Sequence, residues 1–303
     1  MFFKLQRALQ LRSFNRGVRR AVLSTPPVKS DPKAPVAVVT QIYPPDVLMY
    51  LVAVKTFTQF VPVKSCHVVS DRLGASDKAI VREHVPGCEI IDLPDIDTTG
   101  FPRGGTWERL LHIMDLSQHS YVIQLDSDTL TLSPPTEVLN CVAQQRSFTL
   151  GTAQGREPIS AKLAAEQVAK LDSSDPHVQT VAELALARLD EPGARYVRGN
   201  SAFAGFAIGQ HGRPRLQRFS QAMSTLIGSK KWHEWGSEQV ASNYMVANTP
   251  DGVVLPFEKY RYFAPGYASP EAVLLHFIGT YRFSGGVYRD MSLARLRAQP
   301  AAP

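Results

Sequence analysis

Between Val36 and Leu125 four short apolar runs alternate with stretches of helical period, and this alternation constrains the fold more than any other feature of the chain. The runs are Val36 to Thr40, Ser65 to Val69, Glu89 to Leu93 and Tyr121 to Leu125. Between them, Leu48, Leu51, Val52 and Val54 belong to the apolar face of one helix, Ala79 to His84 makes a second, and Thr106 to Ser117 makes a third. Strands and helices in this order form parallel βαβ units, whose right-handed crossovers gather the loops after the strands on one edge. The predicted fold is α/β: a doubly wound, mixed but mostly parallel sheet with helices on both faces. Ligands bind such sheets at the carboxyl ends of the strands. Thr40 to Tyr43, Ser70-Asp71-Arg72 and Asp126-Ser127-Asp128 should therefore share a crevice.

The second half is less regular. Ser147 to Thr152 and Ala202 to Ile208 read as strands, Pro214 to Ile227 as a helix, a further helix starts near Ser237, and Val273 to Phe277 is a late strand. Ile159 to Leu189 is polar and helix-prone, broken near Asp175-Pro176, and reads as a helical insertion near 155–196.

The net charge of +6 would suggest a nucleic-acid partner if it were spread along the chain. Residues 1–30 hold seven basic residues and no acidic one, leaving 26 basic against 27 acidic in the remainder. The near-neutral body carries no basic stripe interleaved with aromatics, which argues against nucleic acid. Within the arm, Arg12, Arg16, Arg19 and Arg20 fall on one helical face and Phe2, Leu5 and Leu9 on another. It suits an amphipathic contact with an anionic membrane, a transit peptide or a disordered tail. Thr25-Pro26-Pro27-Val28-Lys29-Ser30-Asp31-Pro32 is a linker by composition. Cys66, Cys88 and Cys141 form no C-x-x-C pair, which favours buried thiols in a reducing, cytoplasmic setting. No apolar run approaches the roughly 18 residues of a membrane span.

The chemistry concentrates at Asp126-Ser127-Asp128. Two carboxylates bracketing a small residue at a strand end can reach one hard divalent cation, and Mg²⁺ or Mn²⁺ is commonly shared between such carboxylates and substrate phosphate. The alternatives for the pair alone are an ordinary turn, or the nucleophile site of a haloacid-dehalogenase-like phosphatase. That phosphatase class needs a later lysine and acidic pair, and here the Asp126-Asp128 pair sits mid-chain and no Asp-Asp pair follows it. A late segment supplies partners instead: His276 ends an apolar strand, Gly279 lets backbone approach a phosphate, and Arg282 offers a planar fork to phosphate oxygens.

Together these two segments resemble the GT-A nucleotide-diphospho-sugar glycosyltransferases, in particular the retaining family of glycogenin and the bacterial lipopolysaccharide galactosyl- and glucosyltransferases. The resemblance implies Asp126, Asp128 and His276 as ligands of Mn²⁺ or Mg²⁺, with Ser127, Gly279 and Arg282 around the diphosphate. It also implies nucleotide contacts from Thr40, Gln41 and Tyr43, where the family often has acids instead. Glu238-Gln239-Val240-Ala241-Ser242-Asn243 matches a donor-sugar motif with one acid replaced by valine, so Glu238 and Gln239 are the expected catalytic pair. Arg109 matches a basic residue on the helix before the metal strand. Without the resemblance, Glu238 is also a helix N-terminal acid capped by Ser237, and Arg109 a surface salt bridge. The expected organisation is an arm at 1–30, a catalytic domain at 31–287 and a C-terminal tail at 288–303. The implied activity is metal-dependent transfer from a nucleotide-diphosphate sugar, first of all a UDP-sugar, with retention, to an unknown glycan, lipid or protein acceptor contacted by the insertion. If the reaction inverts, Glu238 is the candidate base. A non-catalytic sugar-nucleotide-binding protein is the remaining alternative.

Overall fold

The structure is a computed structural model that describes residues 2–171, 177–266 and 270–298, with backbone only for residues 2–7. The strands are β1 (Val36–Ile42), β2 (Val63–Ser70), β3 (Glu89–Asp92), β4 (Tyr121–Leu125), β5 (Thr129–Thr131) and β6 (Phe148–Leu150). They continue with β7 (Ile159–Ser160), β8 (Arg195–Tyr196), β9 (Asn200–Phe206), β10 (Val253–Leu255), β11 (Tyr260–Tyr262) and β12 (Leu274–His276). The helices are α1 (Phe2–Leu23), α2 (Val47–Thr58), α3 (Ala75–His84), α4 (Trp107–Leu116), α5 (Thr136–Ala143) and α6 (Ala161–Ala169). After them come α7 (Val178–Ala185), α8 (Arg213–Ile227), α9 (Ser229–Trp232), α10 (Ser237–Ala247) and α11 (Val287–Arg297). Seven strands form a mostly parallel sheet in the order β10-β6-β9-β4-β1-β2-β3, the α/β architecture that the alternation of apolar runs predicts. The chain divides into two compact units: Met1–Asp92, Leu125–Thr136 and Glu258–Pro303 form the first, Leu93–Gln124 and Glu137–Phe257 the second.

In the first unit, β1, β2 and β3 are parallel neighbours, and the almost wholly buried α2 crosses over from β1 to β2. Lys55 sits on that buried helix and donates to the Thr25 carbonyl (3.0 Å), the Thr25 hydroxyl (3.0 Å) and the Pro26 carbonyl (2.8 Å). Those bonds fasten the segment that reads as a linker in the sequence. α1 buries Phe14, Val18 and Val22, spaced one helical turn apart, and exposes Arg12, Arg16, Arg19 and Arg20. Each buried apolar side chain is worth about 1.5–3 kcal/mol, enough to hold α1 against α11 and α2. The arm is therefore a docked helix, and the disordered alternative does not describe residues 8–23. Leu9, expected on the apolar face, is 54% exposed. The expected tail from 288 is also helical through Arg297 and buries Tyr288, Ser292 and Leu296.

In the second unit, β9 runs antiparallel to β6, and β10 pairs parallel with β6 on its other side. Gly205 is required where β9 crosses β6, since a Cβ there would lie 2.2 Å from the Phe148 ring. The helical insertion is α6 and α7, closed by antiparallel pairing of β7 with β8. Its expected break at Asp175-Pro176 lies outside the described residues. Stacked Phe219 and Tyr244 (3.8 Å) and edge-on Trp107 and Trp232 (5.8 Å) tie α8, α10, α4 and α9 into one core.

Candidate active site

Asp126-Ser127-Asp128 forms the turn between β4 and β5, closed by the Thr129 amide and hydroxyl, which both donate to the Asp126 carbonyl (3.2 and 2.8 Å). β5 is too short to be visible in the sequence, yet it sets the site. It pairs antiparallel with β12 so that Thr129 faces His276, and the Phe277 amide donates to the Asp128 carbonyl at 2.8 Å. That register brings one ligand atom from each of Asp126, Asp128 and His276 within 4.8 Å of one another. His276 Nε2 lies 3.3 Å from Asp128 Oδ1, and the Arg282 guanidinium pairs with Asp128 Oδ2. Burial pushes the Asp128 carboxyl up, but the Arg282 and His276 charges outweigh it and hold the group well below the usual carboxylate range. Gly279 lies in the turn after β12, and Arg282 anchors that turn by donating to the Phe277 carbonyl (3.1 Å).

The donor set suits a hard divalent cation: two carboxylates and an imidazole. His276 is buried and its Nδ1 has no hydrogen-bond partner among the described residues, and such orphaned polar atoms are uncommon unless a ligand completes them. At the end of β1, the buried Thr40 hydroxyl and Gln41 Oε1 likewise have no hydrogen-bond partner. Tyr43 follows them, 37% exposed. Arg282 feels the charges of Asp128 and Asp46 and the phenols of Tyr288 and Tyr43. Asp46 and Tyr288 are additions that the sequence motifs do not mark.

Behind this turn stands a column of rings. Phe14 of α1 stacks on Tyr288 of α11 (4.4 Å), and Tyr288 stacks on Phe277 (4.2 Å). The Tyr288 hydroxyl reaches the Ser127 carbonyl at 3.4 Å, and burial first, then Asp128, keeps that phenol protonated.

The remaining expected residues lie in the second unit. Glu238 opens α10, with Gly236 rather than Ser237 at the cap. Ser237 accepts from Trp107 Nε1 (2.9 Å). Glu238 is buried, and its carboxylate accepts from Thr106 Oγ1 (2.9 Å), Ser201 Oγ (3.3 Å) and Arg109 Nη2 (3.4 Å to each oxygen). Arg109 is 3% exposed, so it is not a surface salt bridge. Thr106 holds φ +74° at the start of α4, a conformation rare for a β-branched residue and one that collects at functional sites. Gln239 is half-buried and accepts from the Ser201 amide at 3.3 Å. Asn243, the last match of the motif, is structural: it bonds the Gly199 carbonyl (3.0 Å) and the Thr149 hydroxyl (3.2 Å). Ser201 is the neighbour of Glu238 and Gln239 that the sequence leaves unassigned, because its contacts depend on β9 lying under α10.

A galactosyltransferase, LgtC, solved in complex with donor and acceptor sugar analogs, superposes at TM-score 0.51 and 11% identity over 87% of this chain and 97% of its own. The chain has the GT-A fold. A bifunctional glycosyltransferase, WbbM, aligns at TM-score 0.49 and 12% identity over 88% of this chain and 50% of its own. Mouse xyloside xylosyltransferase 1 aligns at TM-score 0.44 and 13% identity over 81% and 98%. No protein-family model and no curated protein matches the sequence. Among the described residues no helix is long and apolar enough to cross a membrane.

Proposed function

We propose that this chain is a metal-dependent glycosyltransferase that moves a sugar, first of all from a UDP-sugar, with retention of configuration. The observation that carries the reading is the convergence of Asp126, Asp128 and His276 within 4.8 Å, with Arg282 against Asp128. Asp126 and Asp128 would offer carboxylate oxygens, and His276 an imidazole nitrogen, to Mn²⁺ or Mg²⁺. When bound, the cation would neutralise charge that grows on the departing nucleoside diphosphate. Arg282 adds a fixed positive charge for the same phosphates, beside Ser127 and Gly279. Thr40, Gln41 and Tyr43 are assigned to the nucleotide, and the partnerless Gln41 Oε1 suits a base N–H.

Glu238 and Gln239 are assigned to the donor sugar. The hydrogen bonds to Glu238 suit a carboxylate that orients hydroxyls better than a base that must take up a proton, which supports retention over inversion. The GT-A fold does not favour the phosphatase alternative. The test is a panel of sugar nucleotides screened for Mn²⁺-dependent hydrolysis and transfer, with the anomeric configuration of the product read by NMR. Hydrolysis abolished by EDTA is the expected result; full turnover in EDTA overturns the metal assignment, and absence of turnover with metal bound points to a binding protein.

The acceptor is proposed to sit at an anionic surface. Arg12, Arg16, Arg19 and Arg20 are exposed on a helix already docked by its other face, and basic helices add about 1 kcal/mol per charge at such surfaces. Changing all four to serine should lower cosedimentation with phosphatidylglycerol vesicles without unfolding the helix; unchanged binding removes this part of the proposal.

A further inference from the structure

Glu183 lies on α7 of the insertion, outside every motif that marks the site, and its side chain is fully buried. Its Oε1 accepts from the Tyr196 hydroxyl (2.9 Å) and from Gln179 Nε2 (3.0 Å), while Oε2 pairs with Arg198. Gln179 in turn accepts through Oε1 from Gln239 Nε2 (3.0 Å), and Gln239 accepts through Oε1 from the Ser201 amide (3.3 Å). The chain Glu183–Gln179–Gln239–Ser201 has ends that cannot reverse. A carboxylate only accepts and a backbone N–H only donates. Both glutamine amides between them are therefore locked in one of their two orientations, because a flip at either would set carbonyl against carbonyl or carbonyl against carboxylate.

We propose that Glu183 and Gln179 are positioning residues that fix the amide of Gln239 with its carbonyl oxygen towards Ser201 and its amino group towards the insertion. This rests on the assignment of Gln239 to the donor sugar. These bonds use one N–H and one lone pair of a half-buried amide, so the orientation of the second pair is what a sugar would meet. A carboxylate is needed at 183 because a glutamine there could donate as well as accept, and the polarity of the chain would be lost. Arg198 pairs with that carboxylate in a buried place. The insertion thus acts on Gln239 through a defined polarity, across residues far apart in sequence.

The test compares Gln179→Met, which keeps the size and removes the relay, with Gln239→Ala in the full chain. Both should lower kcat of Mn²⁺-dependent sugar-nucleotide hydrolysis, Gln179→Met by about ten- to a hundredfold as for other outer partners of a site residue, with donor KM changed less than about threefold. A double-mutant cycle supplies a readout free of turnover. Gln239→Glu should lower Tm because it sets a carboxylate against the Gln179 carbonyl. Adding Glu183→Gln should restore part of that loss, because Gln179 can then flip and donate to residue 239. Additive losses in the cycle overturn the fixed polarity. If Gln239→Ala lowers kcat and Gln179→Met keeps the wild-type value, the positioning role fails alone. If Gln239→Ala keeps full kcat, the assignment of Gln239 to the sugar fails and the positioning role with it, even where the cycle shows coupling.

Discussion

Asp128 in the first unit and Glu183 in the second are both buried carboxylates, 5% and 0% exposed, and both pair with an arginine. Their surroundings differ in what they leave unfinished. Both oxygens of Glu183 are engaged, by Tyr196, Gln179 and Arg198. Asp128 instead stands between Arg282 and a histidine whose second nitrogen is buried without a hydrogen-bond partner among the described residues, two positions from a further carboxylate. A saturated carboxylate sets geometry for its neighbours. At Asp128 both oxygens are engaged as well, and it is the paired histidine that keeps an unused nitrogen. On the function proposed above, the two regions would divide labour: ligation of charge in the first, orientation of polar groups in the second.

That division can be broken at several points. The largest expected effect is on turnover: Asp128→Ala or His276→Ala should lower Mn²⁺-dependent hydrolysis by about a thousandfold, several kcal/mol of lost charge stabilisation. Circular dichroism should meanwhile report an intact fold; retained turnover would place the chemistry elsewhere. In the second unit the expected damage is to stability. Arg109→Met strands the Glu238 carboxylate, and breaking a buried pair from one side costs about 3–5 kcal/mol, readable as a fall in the urea midpoint. A midpoint unchanged within error would mean that Thr106 and Ser201 carry Glu238 without the arginine.

Phe14→Ala follows, at about 3 kcal/mol for an emptied aromatic site. It should also weaken Mn²⁺ affinity measured by calorimetry, because the ring column reaches the Ser127 carbonyl. Weaker stability with unchanged Mn²⁺ affinity would uncouple α1 from the turn.

The smallest effects are pH signatures, one per unit. Burial first, then Arg215, pushes His211 down to about 3. The folded chain holds it neutral while the unfolded chain binds a proton below about 6.5, so stability is full above that value and is lost as pH falls towards 3. His211→Phe should flatten this acid limb. Burial pushes Lys55 down to about 8, with Glu83 opposing. The unfolded lysine then binds more protons than the folded one between pH 8 and 10.5, so stability rises through that window, and Lys55→Met should remove the rise. Denaturant midpoints across pH, as variant minus wild type, read both.

The alternation from Val36 to Leu125 was enough to show the α/β sheet, because strands buried on both faces and crossover helices leave period and apolarity in the chain itself. The grouping of Asp126, Asp128 and His276 was legible for a related reason: polar residues at strand ends follow apolar runs. What pairs those ends was not. β5 and β11 are three residues long, below the length at which a period can be seen. α1 hides its docking face, Phe14, Val18 and Val22, among arginines, so charge dominates the reading of a helix that packing holds. Glu183 is one acid in a short helix; only the fold brings Tyr196 of β8 and the following Arg198 to it. Asp46 faces Arg282 from more than two hundred residues away, and no local pattern encodes such a meeting.

The stack of Phe14, Tyr288 and Phe277 makes the first helix more than a flank. Ring by ring, its contacts run from α1 to the carbonyl between the two aspartates. Removing α1 would uncover a face of Tyr288, whose hydroxyl reaches the Ser127 carbonyl.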